Sequence, residues 1–107
     1  MGKGQLHNSL PKPFRFAVGE RILAEQAEAL RLIVLANTAD KTTPEGRAQG
    51  ADYVRRVRAS VEVMRGFFLL AWKMKMISHG AMTELSENLE SISKQAARWE
   101  QWFKNAS

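Results

Sequence analysis

The sequence predicts an all-α fold, an antiparallel helical bundle, and three features carry that prediction. Apolar side chains recur every three or four residues along three long stretches, the interval that stacks them on one side of a helix. The 3 prolines and 7 glycines fall mostly near the ends of those stretches. The link between the second and third stretches is only Ser78-His79-Gly80, short enough to make them antiparallel neighbours. At 107 residues the chain is one domain, with a core large enough to fold but a small stability margin.

Residues 1–13 read as a flexible arm. They hold Gly2, Gly4, Asn8, Pro11 and Pro13 and no periodic apolar pattern, and the two later prolines oppose a helix there. The first helix is expected over residues 16–39. Val18, Ile22, Ala29 and Ile33 form one apolar stripe and Leu23, Leu30 and Val34 an adjacent one. Glu20, Glu25 and Glu28 sit in its first half, where the helix dipole favours negative charge.

Residues 40–51 are expected to form a loop or a weak helical lead-in. Thr43-Pro44-Glu45 suits an N-cap followed by proline at the first helical position. Gly46 and Gly50 weaken a helix there by up to about 1 kcal/mol each.

The second helix is expected over residues 52–78, a rod of about 40 Å. It carries two apolar stripes, Val54-Val57-Val61-Met64-Phe68-Ala71 and Val63-Phe67-Leu70-Met74-Ile77, so it is expected to pack on more than one neighbour. Gly80 suits the left-handed C-cap position behind it. The third helix is expected over residues 83–104, capped by Thr83. Met82, Leu85, Leu89, Ile92, Ala96, Trp99 and Phe103 alternate by three and four, as in a bundle seam.

Net charge is +5, and its placement is informative. Residues 1–16 carry +3 and residues 44–79 carry +4, whereas 17–43 and 80–107 carry −1 each. Positive charge thus gathers in the leading arm and the middle helix, which favours anionic partners such as nucleic acid or an acidic protein face. Arg55, Arg58, Arg65 and Lys73 form a rough stripe between the apolar ones, interrupted by Glu62, with Arg56 and Lys75 beside it. Contacts to phosphate need long cationic side chains along one surface and no base readout. The plain alternative is a solvated basic face that keeps the chain soluble.

Chemistry of other kinds has little support. Cysteine is absent, so there is no disulfide framework and no Cys-based metal site. His7 lies in the arm and His79 at a helix end, neither with an acid, base or metal partner at a useful spacing. Glu84, Glu87 and Asn88 share a face but make a weak metal site. No catalytic residue, metal site or cofactor is expected. No uninterrupted apolar run reaches a membrane-spanning length and Met1-Gly2-Lys3-Gly4-Gln5 lacks the apolar core of a signal peptide, so a cytoplasmic location is expected. Met64, Met74, Met76 and Met82 read as core filling and Trp99 as core. Trp102 falls off the seam and suits a subunit contact, a base-stacking platform or local packing.

The stretch Pro11-Lys12-Pro13-Phe14-Arg15-Phe16-Ala17-Val18-Gly19-Glu20-Arg21-Ile22 resembles the approach to the second helix of the accessory variability determinant (Avd) proteins of diversity-generating retroelements. The run MRGFFLLAWKMKMISHGAMTELSENLESISKQAARWEQWFKN resembles that family's last two helices, closing on tryptophan. The resemblance implies a four-helix bundle, with the first helix short or missing here, that assembles as a homopentamer. It implies a non-enzymatic accessory protein that binds reverse transcriptase and template RNA or cDNA and supports mutagenic retrohoming. Arg65 matches the first arginine of the family's leucine-arginine repeat, and Leu69 stands where the second would be. The residues expected to meet nucleic acid or the partner are Arg15, Arg21, Arg55, Arg56, Arg58, Arg65, Lys73 and Lys75. A related bundle family encoded by intervening sequences in ribosomal RNA genes is the alternative, and a structural oligomerisation module with no nucleic-acid role is another.

Overall fold

A computed structural model describes residues 12–105. They form three helices, α1 (Lys12–Thr38), α2 (Pro44–Lys73) and α3 (His79–Asn105), and no strand lies among them. The fold class is therefore all-α. None of the three helices is long and apolar enough to cross a membrane.

Each boundary has a local cause. α1 starts at Lys12, four residues earlier than expected, because Pro13 lies in the first turn, where a missing N–H costs nothing. The rest of the expected arm, residues 1–11, lies outside the described residues. α2 begins at Pro44, so residues 44–51 of the expected loop or lead-in are full helix and only 40–43 remain a turn. Thr43 caps it by accepting from the Gly46 N–H at 3.0 Å. Just before it, Asp40 accepts from the Thr42 hydroxyl at 2.6 Å and the Thr42 N–H at 2.9 Å. The hydroxyl bond chiefly holds the Asp40 carboxyl below its usual range.

At its other end α2 stops at Lys73, five residues short of the expected Ser78. The Met76 N–H reaches the Ala71 carbonyl at 2.8 Å and the Lys75 N–H reaches that of Trp72 at 3.0 Å. This is the Schellman pattern, with Lys75 at φ 64° in the left-handed position. Lys75 thus holds the place that the sequence reading gave to Gly80. Gly80 instead lies in the first turn of α3. Ser78 caps α3, its Oγ accepting from the Ala81 N–H at 3.0 Å, and Thr83 is an interior residue whose hydroxyl donates to the His79 carbonyl.

α2 lies between the other two helices. α1 and α3 each pack on it and do not approach one another through the backbone. The Cα atoms span 64 × 23 × 13 Å, and the thin dimension fits a single layer of helices side by side. Contacts of Glu25 with Ser60 and of Arg21 with Phe67 run α1 antiparallel to α2. The pairs Arg65–Glu90 and Arg58–Glu100 do the same for α3.

One apolar stripe of α2 meets both neighbours. Val61, Met64 and Phe68 pack with Ala29 of α1 and Leu89 of α3. Ala51 and Val54 pack with Ala36 and with Ala96 and Phe103. The second stripe of α2 is less used, since Val63 and Leu70 stay 44% and 39% exposed. Gly50 is buried because the Phe103 ring lies against it, where a Cβ would overlap the ring. The buried Ser60 hydroxyl stands 2.7 Å from Glu25 Oε1 and ties α1 to α2.

The layer leaves one face open. A groove of about 340 Å³ runs over α2 between Leu30 and Ile33 of α1 and Leu85 and Ile92 of α3. A second hollow of about 480 Å³ adjoins it, between Ile33 and Trp99. Beside the groove, α1 shows Phe16, Leu23, Leu30 and Val34 at 69%, 66%, 63% and 52% exposure. The second stripe of α1 therefore stays largely uncovered among the described residues.

Candidate nucleic-acid interface

The expected basic stripe on α2 is largely neutralised by carboxylates. Arg55 and Arg56 both hold Asp52, at 2.6 and 3.0 Å. The bond from Arg55 chiefly keeps the Asp52 carboxyl below its usual range, and the same bond raises the arginine. Arg58 donates to Glu100 at 2.8 Å, and Lys104 meets the other oxygen of that carboxylate at 2.9 Å. Glu100 is only 5% exposed, yet its carboxyl is held below the usual range, first by the Arg58 bond and then by that of Lys104. Arg65 reaches Glu62 at 3.3 Å and Glu90 at 3.4 Å, long contacts between largely hydrated groups.

The other four expected residues form a separate group. Arg21 lies over the Phe67 ring, its guanidinium carbon 5.9 Å from the centroid. Arg15 is half-buried, and its Nε is buried with no hydrogen-bond partner among the described residues. Lys73 and Lys75 are exposed at the end of α2 and meet no carboxylate among the described residues. The antiparallel register that sets Arg21 over Phe67 carries Arg15 to the level of the last turn of α2. These cations therefore share one end of the layer, whereas Arg55, Arg56 and Arg58 lie near the middle of α2.

At that end lies an open hollow of about 940 Å³, lined by Trp72, Lys73, Lys75, Met76, Ile77, Ser78 and His79. The Trp72 and His79 rings face each other at a tilt of 52°, their centroids 5.8 Å apart. The sequence reading passed over Trp72 and found no useful partner for His79. Only their position on either side of the short link between the second and third apolar stretches, next to two lysines, could have flagged them. Trp102, half exposed, packs edge-on to Phe103 at 5.1 Å. Among the described residues no group of three or more His, Cys, Asp or Glu side chains could hold a metal ion.

The geometry offers two things to a partner, a cationic end with aromatic rings and an apolar face beside an open groove. Comparison of the chain with protein-family models, with curated proteins and with solved structures finds no match.

Proposed function

We propose that this chain is a non-enzymatic helical adaptor that binds RNA or cDNA through its cationic end and assembles with copies of itself through the open apolar face. In this reading it serves a reverse transcriptase during mutagenic retrohoming, as the resemblance to the Avd proteins implies, and a further helix over the groove completes a four-helix bundle. Pentamer formation is the family's expected assembly. The observation that carries the nucleic-acid half is the gathering of Arg15, Arg21, Lys73 and Lys75 at one end, free of carboxylate partners among the described residues. The interface thus shifts from the α2 stripe of the sequence reading to the α2–α3 turn. Four phosphate contacts predict a log–log salt slope of about −3 on a single strand. Fluorescence anisotropy of labelled RNA across a salt series measures it. A flat response, or no binding at low salt, rejects the reading.

A second reading, a self-associating scaffold with no nucleic-acid role, is favoured by the ion pairs of Arg55, Arg56, Arg58 and Arg65. It predicts assembly without salt-sensitive RNA binding, so the same titration separates the two.

A further inference from the structure

We infer that the hollow at the α2–α3 turn holds an unpaired nucleotide, its base stacked against the Trp72–His79 rings and its phosphates met by Lys73 and Lys75. The inference rests on the nucleic-acid reading above and narrows it to single strands. Three observations carry it. The hollow, at about 940 Å³ and open to solvent, falls within the roughly 300–1,000 Å³ of small-ligand sites, so it has room for a base and its sugar. Its lining divides by chemistry, with the rings of Trp72 and His79 and the apolar Met76 and Ile77 on one hand and two ammonium groups on the other. No carboxylate lines it to compete for the lysines or repel a phosphate.

The turn's backbone fixes that arrangement. The left-handed residue Lys75 ends α2 one turn past Trp72, and the chain returns at once to place His79 beside the indole. A base inside a duplex hides its π-face in the stack, whereas an unpaired base offers it to an aromatic side chain. Bases of every kind carry such a face, so the site selects strandedness and not sequence.

The test compares a polythymidine oligonucleotide with a duplex of equal length at several salt concentrations. The single strand is expected to bind at least ten-fold tighter. Trp72→Leu is expected to lower single-strand affinity by about ten-fold and leave duplex affinity nearly unchanged, while Trp72→Phe keeps most of it. Ultraviolet crosslinking of the unaltered protein, followed by peptide mapping, gives a readout that does not depend on a variant folding. Crosslinks are expected at Trp72 or within residues 74–79. Equal affinity for both forms, an equal loss on both with Trp72→Leu, or crosslinks confined to Trp99 or Trp102 would overturn the inference and leave charge-driven binding standing. Binding to an acidic peptide alone, with no salt-dependent binding of any nucleic acid, would overturn both.

Discussion

Arg58 donates to the buried carboxylate of Glu100 across the α2–α3 interface, at 2.8 Å from Nη1 to Oε1. Lys104 holds the second oxygen from one helical turn away. The carboxylate sits 5% exposed, while the two cations keep much of their side chains in water. Removing the carboxylate charge leaves both cations hydrated, so its cost lies near that of a charge-assisted hydrogen bond and below that of an abandoned buried ion. Glu100→Gln is expected to lower the unfolding free energy by about 1–2 kcal/mol at neutral pH, read by urea denaturation.

The same contact sets an acid dependence. Hydrogen bonds from Arg58 and Lys104 hold the folded Glu100 below the usual 4.5. A depressed acid contributes stability that is fully present above its unfolded value and is lost as pH falls through the folded one. The difference between wild type and Glu100→Gln is therefore expected to shrink as pH falls below about 4.5. A difference that stays constant into acid would show that the carboxylate charge adds nothing.

Arg58 also shows what the sequence could and could not convey. The apolar spacing of Val54, Val57, Val61 and Phe68 made the core side of α2 legible, because helical periodicity is a local property. The partners of its arginines were not local. Within the expected helix over residues 52–78 only Asp52 and Glu62 offset the positive stripe, but Glu90 and Glu100 arrive from α3 and neutralise Arg65 and Arg58. The grouping of the cations at one end was missed for the same reason, since Arg15 and Lys73 lie far apart in sequence and reach one level only through antiparallel register. The length of α2 was misplaced because Lys75 adopts a conformation for which its side chain gives no signal.

Gly50 of α2 lies against the Phe103 ring of α3. A methyl group there would enter the space of the Phe103 ring, itself 1% exposed. Gly50→Ala gains up to about 1 kcal/mol of helix propensity and incurs roughly 1–3 kcal/mol of overpacking, so the clash prevails. Net destabilisation is expected by urea melt. Combining it with Phe103→Leu, which removes ring atoms from the contact, should cost less than the two single changes added together. Simple additivity would mean that the ring moves aside without strain.

At Lys75 a lysine occupies a left-handed cap position suited to glycine. The left-handed conformation costs a non-glycine residue about 1–2 kcal/mol, and a glycine there gives back part of that through its more flexible unfolded chain. Lys75→Gly is expected to stabilise the fold by about 0.5–1 kcal/mol and to raise the melting temperature. Lys75→Val should destabilise it. The glycine variant also lacks one of the two ammonium groups of the hollow, so it should weaken RNA binding and flatten its salt slope by about 0.7 while the fold grows firmer. Loss of binding without loss of stability would separate the lysine's contact with phosphate from any effect on folding.

The outward side of α1 yields the last prediction. Phe16, Leu23 and Leu30 recur at seven-residue intervals, with Val34 one turn further on, and all four are more than half exposed in a single chain. Residues at that interval face a common direction, and a stripe of this kind is the seam of a helix that packs against another. It continues into the groove through Leu30, so one apolar surface joins the two. A water-exposed patch of this extent marks an association surface. Because Leu23 and Leu30 touch little within the protomer, charging them should leave the fold intact and oppose only association. Leu23→Glu with Leu30→Glu is expected to convert an assembled wild type into a smaller species by light scattering, with helical circular dichroism retained. The wild type alone should show a melting temperature that rises with concentration, since association stabilises the folded state by mass action. A monomeric wild type, or an assembly indifferent to both glutamates, would remove α1 from the interface.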